Sequence, residues 1–252
     1  MVNVIDVTDL YHPYQDPGDN VDIIAPYAME EINLKAIILD VTDNFRWPVT
    51  QDDSGEFSDN SGPREMGIIP VNQLNMIFDT DVPCAAAPFQ KMKSPDDKML
   101  WAPKFQQQGI DLILKTLRES KEKTDILVFS SLRPVAAAYN RKPELFRDKV
   151  GVIHICAGSA NSNFIEWNIN LDRNAAVCLF RSDLPIYIYP CAGEKSPYDL
   201  SCYNTYWKLE NMNFIKNMPE RLKSYLQYVM TRSARMDFLR AVEEPADEAV
   251  LE

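Results

Sequence analysis

The sequence predicts an α/β fold: a single Rossmann-like domain built on a layered, mostly parallel sheet with helices on both faces. Three observations predict it. Short apolar runs rich in β-branched residues alternate with amphipathic segments along all 252 residues. The strand–helix–strand spacings suit parallel strands joined by right-handed crossovers. A hydrophobic content of 46% and an aromatic content of 10% supply a core for one large domain.

The elements follow in order. VNVIDVT (Val2–Thr8) is a short strand with the continuous apolar character of a buried one. A polar loop, HPYQDPGDN, follows it. VDIIAPYAMEEI (21–32) reads as a helix, in which Pro26 is tolerable only within the first turn. LKAIILDVTD (34–43) is the second strand. Residues 45–64, with TQDDSGEFSDNSGP at their centre, read as a flexible loop at one end of the sheet. Next come a helix, IIPVNQLNMIF, and a short strand, VPCAAA. PKFQQQGIDLILKTLRES (103–120) is amphipathic, with Ile110, Ile113, Leu114 and Leu117 on one face. DILVFSS is a strand, PVAAAYNRKPELF (134–146) a helix and KVGVIHICAG a central strand. DRNAAVCLFRS is the next helix and PIYIYPCA the next strand, and residues 203–252 are helical and polar.

Composition excludes several classes. A net charge of -11 argues against binding nucleic acid or an anionic membrane, both of which select basic surface. The five cysteines, Cys84, Cys156, Cys178, Cys191 and Cys202, form no C-x-x-C pair, so neither a disulfide scaffold nor a zinc site of the usual spacing is expected. No apolar run is long enough to cross a bilayer and no signal-peptide pattern is present, so the expected location is cytoplasmic. G-x-S-x-G, P-loop and G-x-G-x-x-G motifs are absent. His154 lies inside a strand and reads as structural; His12 lies in the loop after the first strand.

In a sheet of this kind ligands bind beyond the carboxyl ends of the strands. The segments there are residues 6–22, 42–44, 130–133 and 158–168. The first holds Asp6, Asp9, Asp16, Asp19, Asn20 and Asp22. Such oxygens suit a hard cation, which takes six to eight of them; the same residues also suit a turn with a helix N-cap. The last segment continues as GSANSNFIEWNINLDRNAA. Read as extended, it turns Glu166 and Asn168 to one face, with Asn161 and Asn163 in the preceding loop. Amides and a carboxylate together suit recognition of several hydroxyls, as on a sugar, or equally a polar loop bonded to its own backbone.

Taken together these motifs resemble the nucleoside hydrolase family, in order, from about Val2 to Gly193. QDPGDNVD is similar to that family's D-T-D-P-G-x-D-D, after an inserted LYHPY. Asp43–Asn44 stands for its G-N pair, SSLRPVA (130–136) for G-P-L-T-N-x-A, and EWNINLDRNAA (166–176) for E-F-N followed by D-P-x-A-A. The resemblance implies the family's α/β fold over 1–252, shortened at the C-terminus, and calcium-dependent hydrolysis of the N-glycosidic bond of a ribonucleoside. It implies Asp16 and Asp22 as Ca2+ ligands, Asp16 also as the catalytic base, and Asp237 and the Arg133 carbonyl as further ligands. Asn44, Glu166, Asn168 and either Asn161 or Asn163 would bind ribose hydroxyls. The implied partner is a small nucleoside or sugar, with a homo-oligomer in prospect. Three departures stand out: Val21 precedes Asp22 where the family has a second aspartate, Arg133–Pro134 replaces threonine–asparagine, and Met236 replaces a histidine. They leave open a second reading, a sugar- or nucleoside-binding protein that kept the fold and lost turnover.

Overall fold

A computed structural model describes residues 1–46, 64–159, 165–192, 202, 204 and 209–251. In chain order the elements are β1 (Val2–Thr8), β2 (Tyr11–His12), α1 (Pro17–Asp22), α2 (Ile24–Ala28), β3 (Ile32–Leu39), α3 (Asp43–Arg46) and β4 (Glu65–Met66). Then come α4 (Ile68–Phe78), β5 (Cys84–Ala86), α5 (Gln108–Glu119), β6 (Thr124–Val128), α6 (Arg133–Arg141), α7 (Pro143–Lys149) and β7 (Val150–Cys156). The last are α8 (Trp167–Leu171), α9 (Arg173–Phe180), β8 (Ile186–Tyr189), α10 (Glu220–Met230), α11 (Phe238–Ala241) and α12 (Glu248–Leu251).

The chain divides into two compact units. The sheet unit comprises Met1–Asp9, Glu30–Thr42 and Pro83–Trp207; the helical unit comprises Leu10–Met29, Asp43–Val82 and Lys208–Glu252. In the sheet unit six strands lie in the order β5-β3-β1-β6-β7-β8, and every pair is parallel, as the apolar runs predict. The connection order reverses between β1 and β6, the place where open α/β sheets gather ligands. One face of the sheet presents Ile5, Val7, Ala36, Ile38, Ile126, Val128, Ile153 and Ile155 to the core. Ile110, Ile113, Leu114 and Leu117 of α5 pack there at the predicted helical spacing, with the alanines of α6 and α9. Each buried valine, leucine or isoleucine among them stabilises the fold by about 1.5–3 kcal/mol relative to exposure.

Proline divides two expected helices. The helix expected over 134–146 is two, because Lys142 precedes Pro143 and is pushed out of the helical region (φ -144, ψ 66). Pro143 then opens α7 at a position where its missing N–H costs nothing. The helix expected over 21–32 is the pair α1 and α2, with Pro17 at the start of α1 and Pro26 in the first turn of α2. β3 claims Ile32, so the helix stops well short of the predicted boundary. In the helical unit, α4 packs on α10 and α11, and β2 pairs with β4. The flexible loop expected over 45–64 lies, from 47 to 63, outside the described residues. No described helix is long and apolar enough to cross a membrane.

Candidate active site

At the carboxyl ends of the sheet-unit strands the polar residues are enclosed. Asp6, Thr8, Asp9, Asp40, Thr42, Ser130, Ser131, Arg133, Glu166 and Asp172 are all buried. The centre of this shell is Asp40, the first residue after β3 and wholly buried. Its Oδ1 accepts from Arg133 Nη2 at 2.6 Å and Nε at 3.2 Å, a fork typical of guanidinium and carboxylate. Its Oδ2 accepts from the hydroxyls of Ser130, at 3.1 Å, and Ser131. Burial raises the Asp40 carboxyl above its ordinary value, and the guanidinium and the two hydroxyls work against that rise. Sequence reasoning passed over Asp40. The signal was present: an aspartate closing the apolar run AIIL, at the carboxyl end of a buried strand.

Glu166 and Asn168 do not lie in an extended stretch. Glu166 is the N-cap of α8, and its carboxylate accepts from Asn168 N at 2.9 Å and Ile169 N at 3.2 Å. A carboxylate so close to unpaired amides captures them and starts a helix, which overrides the alternation the spacing suggested. Its Oε2 also accepts from Gly158 N at 2.8 Å. Gly158 has φ +85, a backbone region open to glycine and strained for other residues. Asn168 donates Nδ2 to the carbonyls of Cys156 (2.9 Å) and Phe129 (3.4 Å), tying the ends of β7 and β6. Beside them the Cys191 thiol, in hydrogen-bond contact with Cys156 and Glu166, is held far above its ordinary value, by Cys156 first and burial second. A thiol shifted in that direction is a poor source of thiolate. Asp172 caps α9 through Ala175 N (3.1 Å) and also holds Met92 N at 2.8 Å.

In the helical unit Asp16 is the N-cap of α1, its Oδ1 accepting from Gly18 N at 2.7 Å, with Pro17 at the first helical position. Asp22 closes the same helix. Burial and then the charge of Asp16 push Asp22 up to about 6. Asn20, between them, is fully buried and accepts from the Tyr225 hydroxyl at 3.0 Å, which fixes α1 against α10. His12 stacks on Tyr228 at 5.5 Å, and burial lowers its pKa. Asp237 lies on the surface and pairs with Arg235 at 2.8 and 3.0 Å. Arg133 opens α6, where a carbonyl accepts the amide four residues on. In the sheet unit His154 is bonded to the Tyr189 hydroxyl at 3.0 Å and faces Asp125 at 3.6 Å. Asn161, Asn163 and the Asn44 side chain lie outside the described residues.

No family model matches the chain. It is 26% identical over 193 residues to the pyrimidine-specific ribonucleoside hydrolase of Escherichia coli, a match covering 68% of this chain and 56% of that enzyme. Among solved structures, the inosine-uridine preferring nucleoside hydrolase of Bacillus anthracis matches with a TM-score of 0.51 at 13% identity, covering all of this chain and 77% of the other. A plant nucleoside hydrolase matches with a TM-score of 0.52 at 18% identity, over 75% of this chain and 59% of the other. The chain is similar in sequence and in fold to the nucleoside hydrolases. The structural likeness is one of fold, and the parallel sheet with helices around it is the nucleoside hydrolase architecture. The chain spans 56% of the length of the curated nucleoside hydrolases it matches.

Proposed function

We propose that this chain carries the catalytic part of a nucleoside hydrolase that cleaves the N-glycosidic bond of a ribonucleoside with the help of Ca2+. The observation that carries the reading is the pair Asp16 and Asp22 at the two ends of α1, where burial first and the charge of Asp16 second push Asp22 up to about 6. Their oxygens fit a hard cation, which would relieve both the burial and the repulsion. They form only part of a coordination shell: among the described residues no group of three or more His, Cys, Asp or Glu is arranged to hold a metal. Asp16 and Asp22 would hold the ion, with Asp237 and the Arg133 carbonyl as the further donors that the family resemblance implies. Calcium, when bound, supplies orientation of the ribose diol and acidifies a water.

The remaining steps belong to the chain. Asp16 takes the proton from the attacking water, as general base. Asn44, Asn161 or Asn163, Glu166 and Asn168 recognise ribose hydroxyls. Developing positive charge on the sugar is met by the enclosing carboxylates. Two sequence features favour the binding-protein reading: Val21 stands where the family has a second aspartate, and Met236 stands where it has a histidine.

Reducing-sugar release across a panel of purine and pyrimidine nucleosides, with calcium and then with chelator, separates the two. Hydrolysis predicts release that the chelator abolishes. Nucleoside binding without release from any member establishes the binding protein instead. Calorimetric titration of Asp16→Ala with calcium is expected to show no binding heat while the fold stays intact; unchanged affinity would remove Asp16 from the site.

A further inference from the structure

In the sheet unit, residues 87–103 between β5 and α5 form no helix or strand, a length that in compact domains marks either function or disorder. Side chains from the neighbouring helices hold this loop in one conformation. Asn140 donates Nδ2 to the carbonyls of Pro95 (2.9 Å) and Asp97 (3.0 Å). Gln107 donates Nε2 to those of Met99 (2.9 Å) and Ala102 (2.7 Å), and Arg141 donates Nε to that of Lys98 (2.8 Å). Within the loop the Asp97 carboxylate accepts from Lys93 N at 2.8 Å, Met99 N at 2.7 Å and the Trp101 indole at 3.0 Å.

What the loop displays is apolar. Met99 turns inward and is fully buried, in a left-handed conformation (φ 51) that strains a residue with a side chain. Leu100 is then 69% exposed, and Trp101 and Phe105 follow at 38% and 49%. Lys93 holds its ammonium 4.3 Å above the centre of the Trp101 ring. A leucine, a tryptophan and a phenylalanine presented on so well-bonded a loop form a surface ordered in advance of its partner.

The charges of the segment say which partner. Two copies of a chain with net charge -11 repel each other over most of their surface. From Lys93 to Asp111, however, three lysines stand against three aspartates. Among them Lys98, Lys104, Asp96 and Asp111 are exposed. A balanced rim selects neither a strongly acidic nor a strongly basic partner. It does complement itself, because across a two-fold axis each lysine can meet an aspartate of the other copy, and each aspartate a lysine. We propose that Leu100, Trp101 and Phe105 form the centre of a two-fold interface between two copies of this chain. Tryptophan is the anchor that interface centres favour, and the charged rim sets the register. The interface does not depend on the hydrolase reading.

The test is sedimentation equilibrium of the full chain over a range of concentrations, with Tm as the check on folding. The parent is expected to dimerise. Leu100→Ser and Trp101→Ala should each weaken the dimer by about thirtyfold or more, the loss expected at a central anchor. Leu100→Ser should leave the Tm of the monomer unchanged, since that side chain is exposed. Reversing the lysines (Lys98→Glu with Lys104→Glu) or the aspartates (Asp96→Lys with Asp111→Lys) should leave each variant monomeric alone. Mixed, the two variants should form a heterodimer, because every reversed charge then meets its opposite. A parent that stays monomeric, or a dimer as tight with serine at position 100, overturns the interface. Variants that do not associate when mixed overturn the two-fold pairing. A monomeric parent that instead binds anionic phospholipid vesicles through Leu100 and Trp101 assigns the patch to a membrane and overturns the proposal too.

Discussion

The sheet unit and the helical unit handle their carboxylates in opposite ways. In the sheet unit Asp40 finds its countercharge within the chain: Arg133 forks onto one oxygen and two serine hydroxyls serve the other. In the helical unit Asp16 and Asp22 stand at the two ends of α1, and Asp22 is pushed up to about 6 by burial first and the charge of Asp16 second. The first arrangement is complete and contributes rigidity. The second brings two like charges onto one short helix. A closed cluster supports a site, whereas an open one is where the chemistry is to be sought.

The largest effect is expected in the closed cluster. Arg133→Met leaves Asp40 buried beside no cation and should cost about 3–5 kcal/mol in urea unfolding. Combining it with Asp40→Leu should recover most of that loss, because an apolar pair has no charge left to desolvate. If the double variant is as unstable as the single one, the pair is not the self-contained unit that the comparison requires.

The open pair should behave in the reverse sense. The Asp22 carboxyl is raised in the folded state, so between its ordinary value of 3.8 and about 6 the folded chain holds a proton that the unfolded chain has lost. Without divalent cation, stability is therefore fully present at the acid end and falls as pH rises through that window. Asp22→Asn should flatten the slope, as read from urea midpoints across the window in chelator. Calcium affinity should run the other way and strengthen as pH rises past about 6, since the proton and the ion compete. A calcium affinity that does not change with pH would separate Asp22 from the ion.

Smaller effects test the supports of each region. Asn168→Ala removes the amide that bridges the Cys156 and Phe129 carbonyls, and should cost about 1–2 kcal/mol. Tyr225→Phe removes the bond to Asn20 and should cost about 0.5–1.5 kcal/mol. Of the two, only Tyr225→Phe is expected to weaken calcium binding, because Asn20 lies in α1 between the two aspartates.

Much of the sheet was legible because its strands are short apolar runs whose period and boundaries are local. Ile110, Ile113, Leu114 and Leu117 pack where their spacing put them for the same reason. Local competition was harder to read. Glu166 could lie in an extended run or cap a helix, and three nearby amides decided for the cap. The Asp40–Arg133 pair was beyond local reading altogether, since its partners are 93 positions apart and only the parallel order of β3, β1 and β6 brings them together. The acid loop was legible as a set of residues. Its charge state was not, because the rise of Asp22 depends on burial that the sequence does not display.

One feature of the helical unit bears on how the protein is made. The unit is drawn from the connection between β1 and β3, the connection between β3 and β5, and the last stretch of the chain. Its fastenings join the first two of these to the last: Asn20 to Tyr225, and Gln73 to the carbonyl of Phe238. A ribosome therefore delivers Asp16 and Asp22 long before α10 and α11 exist to hold them. The acidic loop waits for its last fastening through synthesis of most of the sheet. The native carboxylate geometry should accordingly be among the last to appear in refolding, well after the parallel strands have found their register.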